Sequence, residues 1–313
     1  MFNDNRTSVK SPVYAYRKTI FQGFGCVSLI LGVAGVIFLF FFTPRFVKTI
    51  VQRPIYETKW KAEDWFDDPE VLKLCHAIER QDIETMERLI QSGVDVNVRG
   101  KDNIPLLLWA YPAGEEVLEC LLKNESNPNF IIESDYSAIS TFALGNTLLY
   151  MAVESEIGGD PKFKNYVDIL LKYGADPDLG SIPPLVAASK SGIHTFNSFV
   201  SLVNSGADLN ICDKSGNGYP VLSAATPDNF DKLFILLESG ATYDVTTVPG
   251  NTLQRMLYKR KNKSSIVLNP DQQRNFDKVI HWLEDRGVSF DKPASERVDP
   301  QKLDPVRVPK SSQ

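Results

Sequence analysis

The chain has 313 residues, 43% of them apolar and 23% charged, with a net charge of −5, a composition that supports a packed core in one or two domains. The charge is uneven: residues 1–63 carry nine Lys/Arg against three Asp/Glu, and the remainder carries 25 against 36. An acidic body repels phosphate backbones, which excludes nucleic acid as the expected partner.

In chain order, residues 1–19 form a short basic tail. Residues 20–42, IFQGFGCVSLILGVAGVIFLFFF, hold no charged side chain. As a helix they reach about 34 Å, enough to cross a hydrocarbon core of ~30 Å. A cleaved signal peptide has a shorter apolar core and an A-x-A-like site, so an uncleaved transmembrane helix is expected, with the lipid bilayer as its partner. Arg6, Lys10, Arg17 and Lys18 precede the span; Arg45, Lys48, Arg53, Lys59 and Lys61 follow it. The positive-inside rule is therefore nearly tied. The usual signal-anchor outcome exports the C-terminal body, which in a bacterium gives an inner-membrane anchor and a periplasmic domain. Ser28 and Gly32 make a small-xxx-small pair of the kind that favours helix dimers. Residues 43–66, polar and basic with Trp60 and Trp65, read as a juxtamembrane linker.

The body that follows is repetitive. LIQSGVDVNV (89–98), LLKYGADPDL (170–179), LVNSGADLNI (202–211) and LLESGATYDV (236–245) are versions of one phrase. Its glycine recurs at 93, 174, 206, 240 and 287, in steps of 81, 32, 34 and 47. Another joint, LLKNESNPNF (121–130), carries Glu125 where glycine is expected and divides the first step into 32 and 49. A base period near 33 residues is the mark of a solenoid. Each phrase ends a stretch with apolar residues at i, i+3 and i+4, the spacing of a helix with one apolar face. The glycine is a C′ stop in the left-handed region, and the short polar residues after it bond nearby backbone in the turn. First helices read IPLLLWA (104–110), TLLYMAV (147–153), PPLVAAS (183–189) and YPVLSAA (219–225). Pro105, Pro184 and Pro220 suit a first helical turn, where a missing N–H costs nothing. Ala152, Ala188 and Ala224 let neighbouring helices approach. One such unit has apolar surface on two sides, and stacking buries it.

These phrases resemble the ankyrin repeat. TLLYMA with LLKYGADPD, PPLVAA with LVNSGADLN, and YPVLSAA with LLESGATYD follow the family's helix start and ending, and the resemblance covers about residues 68–290. It implies an all-α ankyrin-repeat solenoid of about six helix-turn-helix repeats over 67–290, at about 67–98, 99–130, 131–179, 180–211, 212–245 and 246–290, preceded by the one transmembrane helix. Repeats 1 and 6 lack the helix-start motif and read as caps. Glu125 predicts a distorted joint in repeat 2. Residues 291–313, with four prolines and few large apolar side chains, read as a disordered tail.

The resemblance further implies that hairpin tips and exposed first-helix faces bind a protein partner. The tips carry Arg99, Lys101, Asp102, Lys214 and Asn217; the first-helix positions beyond the small residues are Tyr111, Glu154, Lys190 and Thr226. The alternative for each is plain solvated surface. Two insertions stand out. IIESDYSAISTFALG (131–145) brings Tyr136, Ile139 and Phe142, either as anchors for a partner or as cover for the neighbouring unit. YKRKNKSSIVLNPDQQRN (258–275) brings Lys259, Arg260, Lys261 and Lys263, either to anionic lipid or an acidic partner, or as a solvated loop. A smaller insert, EIGGDPKFKN (156–165), reads as a flexible link.

Catalytic chemistry finds no footing. His76, His194 and His281 fall in separate repeats without metal-ligand spacing, and Cys26, Cys75, Cys120 and Cys212 form no CxxC pair, so neither a zinc site nor a disulfide framework is expected. No phosphate loop or nucleophile elbow is present. The expectation is a non-enzymatic, membrane-anchored protein-binding module with no cofactor, metal or small-molecule substrate. The alternative, a likeness in layout to small bacterial ankyrin proteins, is an immunity-type inhibitor of a secreted toxin such as a periplasmic lipase.

Overall fold

A computed structural model describes residues 61–134, 144–157, 161–246 and 252–290. The predicted transmembrane helix at 20–42, the basic tail, most of the linker and the tail at 291–313 lie outside the described residues. Among the described residues, no helix is long and apolar enough to cross a membrane.

The described residues are helical, with isolated β-bridges at Arg99–Pro105 and Thr246–Thr252 in place of strands. Six helix pairs follow one another among them. Repeat 1 pairs Pro69–Arg80 with Ile83–Gln91, and repeat 2 pairs Leu106–Ala110 with Glu115–Lys123. Repeat 3 pairs Leu148–Ile157 with Tyr166–Lys172, and repeat 4 pairs Pro184–Lys190 with Phe196–Asn204. Repeat 5 pairs Pro220–Ser223 with Phe230–Glu238, and repeat 6 pairs Leu253–Lys263 with Pro270–Glu284. First helices pack on one another between repeats 1 and 2, 3 and 4, and 4 and 5, and second helices between repeats 1 and 2, 2 and 3, 3 and 4, and 5 and 6. The shared core runs from Leu74 and Ile78 through Leu118, Leu170, Phe199 and Leu233 to Val279.

Local chemistry sets the helix ends. Asp68 accepts from the amides of Glu70 (2.8 Å) and Val71 (3.1 Å), with Pro69 in the first turn. Asn269 and Gln272 form a full capping box at the last helix. Pro184 and Pro220 occupy first-turn positions as expected, whereas Pro105 is the N-cap residue itself.

The joints couple each repeat to the next. Asp95, Asn127, Asp176 and Asp208 each accept from the amide two residues on, at 2.8–2.9 Å. The next polar residue reaches forward instead. Asn97 Oδ1 accepts from Asn127 N (2.7 Å), Asn129 Oδ1 from Asp176 N (2.7 Å), Asp178 Oδ1 from Asp208 N (2.9 Å) and Asn210 Oδ1 from Thr242 N (2.7 Å).

Four expectations change. The joint at Glu125 is not distorted: Glu125 takes φ 67°, and its amide and that of Ser126 bond Leu122 O and Leu121 O at 3.1 Å. The same pair forms around Gly93, from Gly93 N to Ile90 O and from Val94 N to Leu89 O. Most of 258–275 is helix rather than loop, because both helices of repeat 6 extend through it and leave 264–269 between them. Repeat 6 also has a helix start, with Thr252 as N-cap accepting from Arg255 N at 3.1 Å. The described part of the 156–165 insert is packed, since Phe163 lies against Tyr111 and Tyr166.

Two substitutions adapt the stack. Trp109 stands four residues beyond Pro105, where Ala188 and Ala224 stand four beyond Pro184 and Pro220. It is fully buried and meets Phe66 edge-on at 5.9 Å. Residues 61–67 thus cover the start of repeat 2. A Cβ on Gly100 would lie 2.4 Å from Trp65 O, so a side chain there would displace this cover. The second is Lys232, fully buried in the second helix of repeat 5. Its Nζ donates to Ala188 O (2.8 Å), Gly192 O (3.0 Å), Ser191 O and Thr195 Oγ1 (2.8 Å). Burial pushes the ammonium down to about 8.

Candidate functional site

The hairpin entering repeat 2 turns through Asp102 (φ 53°) and Asn103 (φ 61°). Two successive left-handed residues make the tight turn whose twist suits a hairpin, and Asp and Asn tolerate it best after glycine. The turn gathers Arg99, Lys101 and Asp102 at one exposed tip. These side chains also serve the fold. Arg99 donates to Asn103 O (3.3 Å) and lies over the Phe130 ring at 5.6 Å. Lys101 faces Asp67 at 3.7 Å. Ser134 Oγ donates to Asp102 O (3.3 Å) and Asn103 donates to Glu133 (2.6 Å), which joins the tip to the hairpin of repeat 3.

The hairpin entering repeat 5 is built on Asp213, whose carboxylate accepts from the amides of Ser215 (3.0 Å) and Asn217 (3.2 Å). The turn leaves Lys214 and Asn217 exposed, and the Lys214 amide bonds Ser181 O of the preceding hairpin at 3.2 Å.

First helices contribute a row. Glu154, Lys190 and Thr226 stand at one repeat position, six residues beyond Leu148, Pro184 and Pro220; Lys259, six beyond Leu253, continues it. Lys190 and Lys259 are exposed, Glu154 and Thr226 half-buried. Burial, with the Glu154 carboxylate beside it, pushes the Tyr150 phenol up to about 12. Beneath the row, Glu156 is buried; desolvation raises its carboxyl, and Ser198 Oγ donates to it.

Tyr111, at the same position in repeat 2, is the correction. It was expected on the exposed face and is 2% exposed. Phe163 stacks on it at 5.1 Å with 13° between the rings, and Tyr166 meets it edge-on at 5.0 Å. Its hydroxyl shares a hydrogen bond with Ser155 Oγ at 2.9 Å, and Tyr166 Oη donates to its carbonyl at 2.8 Å. The cause is the insert in repeat 3, which lays Phe163 over the position. Lys162 Nζ, from the same insert, donates to Pro112 O. Tyr136 and Phe142 lie outside the described residues. The structure thus puts Glu154 and Lys190 at one repeat position with Lys259, which the sequence had assigned only to the basic patch of the 258–275 insertion, and gathers Arg99, Lys101 and Asp102 at one tip. Lys259 was legible as the repeat-6 counterpart of Lys190 once TLQRML is read as a helix start.

Among the described residues, no group of three His, Cys, Asp or Glu side chains is placed to hold a metal ion. His76 sits between Glu63 and Glu79, at 3.1 Å from each, and His281 Nδ1 lies 2.8 Å from Asp277 O. Cys75 and Cys120 are buried and Cys212 half-buried, all as free thiols.

The family model for ankyrin repeats, three copies, matches residues 74–181. No curated protein matches the chain in sequence. Among solved structures, the chain is similar to an ankyrin repeat domain from Acinetobacter baumannii AYE, at 15% identity and TM-score 0.49, over 69% of this chain and 98% of that one. It is also similar to the human ASB11 ankyrin repeat domain, at 21% identity and TM-score 0.43, over 73% and 88% of the two chains. A third is the Bdellovibrio bacteriovorus predatory endopeptidase Bd0816 in complex with immunity protein Bd3460, at 17% identity and TM-score 0.45, over 66% and 97%. The family match thus identifies ankyrin repeats over residues 74–181, within the run of stacked helix pairs.

Proposed function

We propose that this protein is a non-enzymatic binding module that holds a protein partner along the first-helix row and the neighbouring hairpin tips. The observation that carries the reading is the row itself. Glu154, Lys190, Thr226 and Lys259 recur at one repeat position, Lys190 and Lys259 exposed and Glu154 and Thr226 half-buried, while Leu185, Ala188, Val221 and Ala224 around them are buried. Side chains in such a row vary without disturbing the core, so a stack uses them for recognition. Arg99, Lys101, Asp102 and Lys214 extend the surface at the tips. The reading adds a bilayer anchor at 20–42, proposed from its uncharged sequence, with the repeats on the periplasmic side of a bacterial inner membrane.

The test is site-specific photocrosslinking in the full chain. A crosslinker at position 190 is expected to capture one defined protein, and one at Lys123, on a second helix, is not. The variant Lys190→Glu with Lys214→Glu is expected to weaken binding of the captured protein at least about tenfold without moving the thermal midpoint. Equal crosslinking at 190 and 123 would overturn the reading.

A second reading, an inhibitor of a secreted toxin, is favoured by the charge of the body. Residues 64–313 carry 36 Asp/Glu against 25 Lys/Arg, which suits a basic effector. An effector gene beside this one, and protection of cells from its product, would support it. A neighbourhood without such a gene counts against it.

A further inference from the structure

The last repeat reverses the charge of the body. Over 252–284 the chain carries seven Lys/Arg against three Asp/Glu, and the first helix, Leu253–Lys263, carries five Lys/Arg and no acid. This helix ends at a six-residue loop, 264–269, that presents Ile266 at 62% and Val267 at 90% exposure. Large apolar side chains adjacent in sequence and this open are uncompensated in water.

The loop is held in that shape. At its start, Ser264 Oγ accepts from Arg260 (2.9 Å) and from the Ile266 amide (3.2 Å). At its end, Leu268 packs against the core and Asn269 closes the capping box of the last helix. Between these fixed points, Ile266 and Val267 are turned outward. They line a groove of about 490 Å³ together with Arg260, Lys261, Phe276 and Ile280. The acids nearby are engaged: Glu284 pairs with Lys261 at 2.9 Å, Asp271 pairs with Arg274, and Asp277 accepts from Gln273 at 2.7 Å.

We infer that the 260–268 edge of the last repeat is a contact for an anionic bilayer surface, with Ile266 and Val267 entering the headgroup–acyl boundary and the basic helix facing the lipid charge. A pair of apolar side chains beside a basic helix matches such a surface, which offers apolar depth and negative charge together. An acidic protein surface would satisfy the basic residues and leave the apolar tip in water. The contact uses none of the side chains proposed above for the partner, Lys259 excepted, and Lys259 is left intact in the test.

The experiment is hydrogen exchange of the full-length protein reconstituted in vesicles of phosphatidylcholine, alone or with phosphatidylglycerol. Amides 264–268 are expected to exchange at least about tenfold more slowly in the anionic vesicles. The protection should weaken in high salt. It should also fall in Ile266→Ser with Val267→Ser, and separately in Arg260→Glu, with thermal midpoints unchanged. Equal exchange in both vesicle types, or protection that survives both variants, would overturn the contact. Protection produced by soluble polyglutamate without vesicles would reassign the edge to an acidic protein.

Discussion

The ammonium of Lys232 donates to the hydroxyl of Thr195 at 2.8 Å, and through it the second helix of repeat 5 grips the turn between the helices of repeat 4. The same Nζ reaches the carbonyls of Ala188 and Gly192, at the end of a short first helix whose last carbonyls lack intrahelical donors. Asn229 Nδ2 adds a bond to Lys190 O at 3.1 Å. A charge placed this deep is tolerated because it meets oxygens on several sides. Lys232→Met keeps the volume and removes the donor. It leaves buried oxygens unsatisfied and is expected to lower stability by about 3 kcal/mol, read as a reduced midpoint in chemical denaturation with an unchanged slope.

Asp178 is the ladder position where an amide would do better than an acid. Its oxygens accept from Asp208 N, as Asn129 accepts from Asp176 N. Asn97 and Asn129 also donate, to Glu125 O (3.0 Å) and Gly174 O (2.8 Å), which a carboxylate cannot do. Desolvation, then the charges of Asp208 and Asp176, raise the Asp178 carboxyl above its ordinary 3.8. A carboxyl raised in the folded state favours folding fully below 3.8 and loses that contribution as pH rises through the raised value. Asp178→Asn is therefore expected to stabilise by about 1 kcal/mol at pH 7, and the gain should shrink toward pH 3, measured by thermal unfolding across that range.

Glu125 shows that the joint follows from the fold as much as from its glycine. The left-handed φ of 67° is forced by the paired bonds to Leu122 O and Leu121 O, and Asn97 Nδ2 holds the Glu125 carbonyl from the repeat before. A side chain with a Cβ pays about 1–2 kcal/mol in this region, and glycine regains part of it against its greater freedom when unfolded. Glu125→Gly is expected to raise stability by about 0.5–1 kcal/mol. A loss of stability on denaturant titration would mean that the Glu125 side chain holds the joint.

The parts of the fold legible in the sequence are those written by short-range chemistry. The recurrent LL-x-x-G phrase marks the second helices, because a C′ glycine follows from the left-handed turn alone. Asp95 and Asp208, each bonding the amide two residues on, are local as well. Features that depend on a neighbouring repeat were not legible. Asn97 and Asn129 look like further turn residues and in fact reach the next unit. Lys232 stands inside FDKLFILLE, where nothing local marks it as buried, because its acceptors lie about forty residues earlier. The candidate site divides in the same way: Lys190 and Lys214 were readable as exposed, and Tyr111 was not, because the residue that covers it belongs to the next repeat.

That covering residue gives the last prediction. Phe163 is half-buried, stacked on Tyr111 at 5.1 Å and edge-on to Tyr166 at 5.1 Å, so three rings from two repeats share one contact. Phe163→Ala removes the stacked ring and one edge contact, each worth about 0.5–1.5 kcal/mol beyond area, together with apolar surface kept from water. Stability is expected to fall by about 2 kcal/mol. Burial holds the Tyr111 phenol well above its usual range, so uncovering it should bring that titration down toward the ordinary tyrosine value. Ultraviolet titration of the variant against Tyr111→Phe in the same background isolates the change. A flexible, unpacked insert would leave both the midpoint and the titration where they were; a fall in both means that the insert of repeat 3 is what closes this end of the first-helix row.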